Sequence, residues 1–154
     1  MRRIDDYING LTATLQEFND PSQVDDTVTE TAKPLGPLIV ELNTQNQLFQ
    51  GGQTGTGLPV TPRYTVNTIR YKRAKGQPTN RVTLRDSGSF HRSFKARFTN
   101  GKIEVYATDQ KTTELIDKYG PDVLGLNDAS LTTVADKLRP LLIDELRKRI
   151  ANVQ

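Results

Sequence analysis

The sequence contains no cysteine and no tryptophan, and it has one histidine and one methionine among its 154 residues. Without cysteine there are no disulfides, no zinc–thiolate sites and no catalysis by a thiol. No stretch approaches the roughly 18 apolar residues that mark a membrane-spanning helix, so we expect no contact with a membrane. Met1 is followed by two arginines and then by Ile4-Asp5-Asp6, rather than by an apolar core, which predicts no signal peptide.

Apolar residues are scarce but sufficient for a small core. Hydrophobic residues make up 34% of the chain, and the share of large aliphatic and aromatic residues lies above the level typical of disordered proteins. We predict a single domain over residues 1–154. Its class is α+β, with a small antiparallel sheet packed against helices from both ends of the chain.

Charge is distributed unevenly along the chain, although the formal net charge is only +3. Residues 1–62 carry a net charge of −5, and residues 103–154 carry −2. Residues 63–102 hold eleven lysines and arginines against Asp86 alone, a net charge of +10. Such a partition predicts a polyanionic partner or a protein with an acidic face, which in a self-assembling protein can be another copy of the chain.

Three stretches have apolar residues at helical spacing. The first runs from Ile4 to Phe18 and ends at Asp20 and Pro21. A second helix is predicted from Pro37 to about Gln50, and the residues on its buried face are Leu38, Ile39, Leu42 and Phe49. The last begins near residues 128–130 and contains Pro140, where we expect a kink or a restart. Its apolar stripe is Leu131, Val134, Ala135, Leu138, Leu142, Leu146 and Ile150.

Residues 51–80 show no persistent period and are rich in glycine and proline, which predicts a long loop or arm. Within this arm, Tyr64 to Lys72 is predicted to be extended. Its glycines do not form a phosphate-binding loop, because no Gly-Lys-Ser/Thr follows and Leu58-Pro59 prevents a helix from starting there. Connections of this length are usually functional or disordered.

Residues 90–107 predict a β-hairpin. Apolar residues alternate from Phe90 to Phe98, and Asn100-Gly101 is the preferred pair for a two-residue turn. Folding on that turn places Arg97 opposite Glu104 and gathers the apolar residues on the other face. The stretch Val82 to Leu84 is a candidate third strand.

No group of residues suggests catalysis, and we predict neither an enzyme nor a cofactor or metal. His91 is interpreted as a polar strand residue, because a histidine-based triad or zinc site lacks partners. A metal nuclease using Asp86 and Glu104 is the alternative considered, but Glu104 is expected to pair with Arg97. The side chains of adjacent acids, such as Asp25 and Asp26, point in different directions on a helix, so these pairs form neither an acid–base couple nor a metal chelate.

The strongest charge run is Arg70-Tyr-Lys-Arg-Ala-Lys75. Together with nearby tyrosines it is typical either of contact with a phosphate backbone and stacked bases, or of docking on an acidic protein. The candidate interface residues are Arg63, Tyr64, Arg70, Tyr71, Lys72, Arg73, Lys75 and Arg81.

Several short motifs between residues 49 and 126 resemble a known family. They are Phe49-x-x-Gly52, Gly55-x-Gly57-x-Pro59, Pro62-x-Tyr64, Thr68, Lys72, Leu84-x-x-Ser87-Gly88-x-Phe90-x-x-Ser93-Phe94 and Lys118-Tyr-Gly-Pro-Asp-Val-Leu-Gly-Leu126. The chain thereby resembles the virion morphogenesis, or tail-completion, proteins of tailed bacteriophages, of the Mu-like type and of a subgroup found in phage-like elements of Bacteroidetes. It departs from the family pattern at Tyr64, where leucine is frequent, and has no tryptophan at Leu58 or Pro59.

The resemblance implies a non-enzymatic subunit of the virion neck, assembled in the cytoplasm of a bacterial host. Such proteins form homo-oligomeric rings, often sixfold, that join the tail tube to the head connector and its portal-associated proteins. It further implies that residues 51–80 become ordered on assembly and that the basic segment meets an acidic neighbour or DNA in the lumen. A head-completion (head–tail adaptor) protein, and a nucleic-acid-binding module using the basic segment 63–102, are the alternatives.

Overall fold

A computed structural model describes residue 16 and residues 20–152. The stripe predicted from Ile4 to Phe18 lies outside the described residues. The described chain is a mixture of helices and one two-stranded antiparallel sheet, so the predicted α+β class is confirmed. Its contacts divide into two compact units, which are described separately.

Among the described residues, the first unit comprises residue 16 and residues 20–35, 98–103 and 135–152. Its helix α1, Pro21–Ala32, begins at Asp20, whose carboxylate accepts a hydrogen bond of 3.0 Å from the amide of Ser22. The Ser22 hydroxyl donates to the same carboxylate at 2.8 Å, and the hydrogen bonds from the hydroxyl and the amide of Ser22 lower the pKa of Asp20. Further along α1, the Thr29 hydroxyl accepts a 2.8 Å hydrogen bond from the amide of Gly101, at the tip of the hairpin.

The second unit, residues 36–97 and 104–134, begins with the helical stretch predicted from Pro37 to Gln50. A short 3-10 turn, Lys33–Leu35, leads into α2, Gly36–Glu41, and then into a π-helix, Leu42–Gly51. Ile39 and Leu42 are buried as predicted, whereas Leu38 and Phe49 are only half-buried. Leu48 is fully buried instead, because the wider π winding moves residues away from the positions that an α-helical period assigns.

The hairpin is confirmed at its turn and corrected at its start. Strands β1, Phe94–Thr99, and β2, Lys102–Ala107, are joined by Asn100 and Gly101, which both have the positive φ of a type I′ turn. Arg97 pairs with Glu104 at 2.6 Å, as the register predicted. The residues before β1 are not extended, because Ser89–Arg92 forms the one-turn helix α4.

The third strand predicted at residues 82–84 is wrong: the sheet of the described residues has two strands. Val82, Thr83 and Leu84 are buried but irregular. Leu84 has a φ of +50°, which ends any extended conformation at that residue. The apolar pattern therefore reflected burial in the core and not pairing in the sheet.

Within the long loop or arm predicted at residues 51–80, the extended conformation predicted from Tyr64 to Lys72 is wrong. Residues from Val66 to Ala74 form helix α3, which Thr65 caps by accepting a 3.3 Å hydrogen bond from the amide of Thr68. Before it, Gln53 and Pro59 form a β-bridge, and Val60 is 2% exposed. The segment is thus folded onto the second unit.

The core of the second unit lies between these elements. Its buried members are Leu48, Val60, Val82, Leu84, Phe90, Phe94 and Val123. The rings of Phe90 and Phe94 meet edge to face, with centroids 4.9 Å apart. Helix α5, Thr112–Tyr119, packs against this core through Leu115, Ile116 and Tyr119.

Helix α6, Asp128–Ala151, continues through Pro140 rather than restarting there. Val134 in its predicted stripe is buried, but Leu131 and Ile150 are 51% and 40% exposed, and Ala135 is exposed as well. The predicted stripe is therefore only partly a core face. None of the helices in the described part of the chain is both long and apolar enough to cross a bilayer.

Candidate interaction surface

The eight candidate interface residues lie on and around α3 in the second unit. The structure does not present them as one cationic surface. Some bind groups of the same unit and hold the segment in place, whereas three arginines face outward.

Lys72 belongs to the interior rather than to the surface. Its side chain is buried, and its ammonium donates hydrogen bonds to the carbonyl of Arg85 at 2.8 Å and to Gln77 Oε1 at 2.9 Å. The same ammonium lies 5.0 Å from the ring centroid of Tyr64, a cation–π distance. Lys72 therefore fastens α3 to residues 77–85.

Tyr71 and Lys75 share one carboxylate, that of Asp86. The Tyr71 hydroxyl donates to Asp86 Oδ2 at 3.2 Å, and the Lys75 ammonium pairs with Asp86 Oδ1 at 2.5 Å. This hydrogen bond lowers the pKa of Asp86 and raises the pKa of Lys75. The Lys75 ammonium also lies 4.8 Å from the Tyr71 ring, so both side chains are engaged at the end of α3.

Tyr64 and Arg81 anchor the two ends of the stretch from residue 64 to residue 81. The Tyr64 hydroxyl accepts a 2.9 Å hydrogen bond from the amide of Thr83. The Arg81 guanidinium donates from Nε to the carbonyl of Phe49 at 2.7 Å and lies 5.9 Å from the Phe49 ring. Both side chains are half-buried and stabilise the fold of the second unit.

Five of the eight residues are exposed, and two of them, Tyr71 and Lys75, bind Asp86. The other three are Arg63, Arg70 and Arg73. Each of them has neither a hydrogen bond nor an ion pair with another described residue. Arg70 and Arg73 share one side of α3 with Val66, which is 64% exposed, because residues three and four apart are neighbours on a helix. We call Val66, Arg70 and Arg73 the arginine face.

A cavity of about 400 Å³ adjoins α3 at Ile69. Apolar groups of Val60, Ile69 and Val82 line it together with the polar groups of Thr79 and Asn80. Arg63, Tyr64 and Arg81 also line it, so it combines three of the predicted residues. Ile69 is the residue of α3 that lines the cavity, and Val66, Arg70 and Arg73 do not line it.

His91 and the candidate metal-binding acids are occupied within the fold. His91 is not the polar strand residue that the sequence predicted, because it lies in α4 and is buried. Its Nε2 lies 2.8 Å from the carbonyl oxygen of Thr83. Asp86 and Glu104 each form an ion pair, with Lys75 and with Arg97. Within residues 20–152 there is no group of three possible metal ligands from histidine, aspartate and glutamate.

Two buried side-chain amides, which the sequence pattern does not reveal, bind the loop after α5. Asn43 accepts from the amide of Gly125 at 2.8 Å and donates to the carbonyl of Val123 at 3.1 Å. Gln47 donates to the carbonyl of Gly125 and accepts from the amide of Asn127. Their partners are about 80 residues away in the sequence, so no local pattern reveals them. They fix the motif around residues 118–126 on the π-helix.

Comparison of the chain with models of known protein families, with curated proteins and with solved structures found no match. Assignment of a function therefore depends on the residues themselves and on the motif resemblance described above.

Proposed function

We propose that this chain is a structural subunit of the virion neck of a tailed bacteriophage, a ring-forming tail-completion protein that joins the tail tube to the head connector. The observation that carries the proposal is the arginine face, which is exposed and lacks partners within residues 20–152. Its helix α3 is held in place by the hydrogen bond of Lys72 to the Arg85 carbonyl and by the ion pair of Lys75 with Asp86. A cationic surface of this kind suits binding to an acidic protein neighbour.

The motifs that suggest the family have structural roles in the second unit. Gly52 and Gly88 have φ values of +58° and +85°, which favour glycine. Phe90 and Phe94 lie in the core, and Tyr64 binds the backbone of Thr83. The motifs that carry the resemblance therefore contain residues on which this fold depends. This supports the proposal that the chain shares the fold and the role of the tail-completion family.

The structure changes one part of the expected mechanism. Residues 51–80 were expected to become ordered only on docking, but α3 and the bridge at Gln53 are formed in the single chain. A preformed surface loses less conformational entropy on binding than a disordered segment does. Assembly is therefore proposed to join surfaces that already exist, with little ordering of this segment.

The test uses tail tubes and portal-containing connectors purified from a phage whose genome encodes the chain. Electron microscopy of the labelled chain mixed with each particle is expected to place rings at the end of the tail tube. Binding to connectors alone would identify the head-completion alternative. Binding to neither particle would contradict a role in the neck.

The exposed arginines also favour a second candidate, a nucleic-acid-binding module. In that case affinity for DNA falls steeply with salt concentration, because each neutralised phosphate releases counterions. A titration of DNA at several salt concentrations, with wild type and with a variant carrying Arg70→Glu and Arg73→Glu, decides the matter. A steep salt dependence that the variant loses would support this candidate, and salt-independent binding would reject it.

A further inference from the structure

We propose that the arginine face of one copy binds the acidic side of α1 in the next copy, through Asp26 and Glu30. This inference rests on the proposed ring-forming function and names the two surfaces that would meet. The contact is head to tail, because the two patches are different parts of the chain. Contacts of this type close into a ring when the rotation between copies permits.

The arginine face is a part of the basic segment that has no counter-charge among residues 20–152. Lys75 and Arg97 are paired with carboxylates, and Lys72 is bound to Arg85 and Gln77. By contrast, Arg70 and Arg73 are exposed without a partner among residues 20–152. Helix α3 carries three basic residues and no acid, so nothing on the helix itself offsets their charge.

Helix α1 has the opposite composition. It carries Asp25, Asp26 and Glu30 and no basic residue. Asp26 is exposed and has no partner among residues 20–152, and Glu30 forms only an exposed pair with Lys33, which follows the helix. Exposed pairs of this type are weak, so Glu30 is readily available to a stronger partner.

The spacing of the charges on the two helices matches. Asp26 and Glu30 are four residues apart, and Arg70 and Arg73 are three residues apart. On a helix, both spacings separate neighbouring side chains by about 5–6 Å. Two arginine–carboxylate pairs can therefore form at once, and paired guanidinium groups give geometric specificity as well as attraction.

A protein partner fits this face better than single-stranded nucleic acid does. Binding of unpaired bases relies on exposed aromatic rings for stacking. The arginine face itself carries no aromatic ring: Tyr64 is half-buried and bound to Thr83, and the exposed Tyr71 lies outside the face with the Lys75 ammonium 4.8 Å from its ring centroid. The third exposed side chain of the face is Val66, an aliphatic residue that suits a protein contact.

Reciprocal charge reversal in the full-length chain tests the contact. One variant carries Arg70→Glu and Arg73→Glu, and the other carries Asp26→Lys and Glu30→Lys. All four positions are exposed, and circular dichroism confirms folding of each variant. Mass photometry is expected to show that each variant alone self-associates about tenfold or more weakly than wild type, because like charges now meet. An equimolar mixture is expected to recover assembly, with the two variants alternating.

Matched controls separate this contact from general charge effects. Lys95→Glu with Lys137→Glu, and Glu114→Lys with Asp117→Lys, change the net charge equally at other exposed positions and are expected to assemble as wild type does. Wild-type-like assembly of both test variants overturns the contact but leaves the neck function standing. If DNA binding alone responds to the arginine reversal, the face binds nucleic acid and the contact is likewise overturned. Failure of wild type to assemble, or to bind tail tubes, rejects both proposals.

Discussion

The Nε2 atom of His91 lies 2.8 Å from the carbonyl oxygen of Thr83, and the imidazole is buried beside the rings of Phe90 and Phe94. Because a carbonyl oxygen only accepts, Nε2 carries the proton and donates. Burial lowers the pKa of His91 from 6.5 to about 4, so the ring stays neutral in the native chain over most of the physiological range.

This histidine should make the second unit sensitive to acid. Between pH 6.5 and about 4, the unfolded chain binds a proton at His91 that the native chain does not bind. The free energy of unfolding therefore falls as the pH falls through this window, by about 3 kcal/mol in total for this group. Urea denaturation at a series of pH values measures the slope.

The variant His91→Gln provides the control for that slope, since glutamine keeps a donor for the Thr83 carbonyl but does not titrate. We expect the variant to be less stable at pH 7. Between pH 6.5 and about 4, its free energy of unfolding should fall less steeply than that of wild type, because glutamine does not bind the proton. Equal slopes for wild type and variant would mean that His91 is not the group responsible.

Substitution of Lys72 should destabilise the chain, although Lys72 belongs to a run of basic residues that is typical of an exposed surface. Lys72→Met removes the donor of two hydrogen bonds and leaves the carbonyl of Arg85 without this partner. The expected loss is about 1–3 kcal/mol in the free energy of unfolding. Arg70→Met on the same helix is exposed and should change it by less than about 0.5 kcal/mol. Similar losses from the two substitutions would contradict the buried role of Lys72.

The buried amide of Gln47 should control the order of the loop after α5. Gln47→Leu deprives the carbonyl of Gly125 and the amide of Asn127 of their partner. We expect a cost of about 1–3 kcal/mol and faster hydrogen exchange at the Asn127 amide. Gln50→Leu, at an exposed position of the same helical stretch, is the comparison. Unchanged hydrogen exchange at the Asn127 amide in the Gln47 variant would contradict this role of Gln47.

Gly52 should not tolerate a side chain, whereas Gly57 should tolerate one better. Both have a positive φ, but a Cβ at Gly52 would lie 2.7 Å from the Cβ of Arg81, and a Cβ at Gly57 would meet nothing within 4 Å. Gly52→Ala therefore adds a steric clash to the backbone strain that both variants share. Thermal denaturation is expected to show a clearly larger loss for Gly52→Ala, and a larger loss for Gly57→Ala would go against this geometry.

The parts of the fold that the sequence predicted well are those determined by neighbouring residues. The turn at Asn100-Gly101 and the pairing of Arg97 with Glu104 follow from turn chemistry and the two-residue period of a strand. Helix α3 was missed because its inward face consists mainly of Ile69 and the charged Lys72, which leaves almost no apolar period. Its burial depends on tertiary partners that the local pattern does not contain.

The candidate surface was likewise only partly predictable. The charge run indicated a cationic site, and Arg63, Arg70 and Arg73 are indeed exposed. The sequence did not reveal that Lys75 and Arg81 bind groups of their own unit, because Asp86 and the Phe49 carbonyl reach them through the fold. The resemblance to phage tail-completion proteins, and the single-domain reading, stay predictions.

Mass photometry of the purified full-length chain, with and without tail tubes and across a range of salt concentrations, is the most direct test of the central proposal. We predict closed rings of uniform mass that become less stable as salt screens the arginine face, and that bind the end of the tail tube. A chain that stays monomeric at every concentration and salt, with or without tail tubes, would contradict the account.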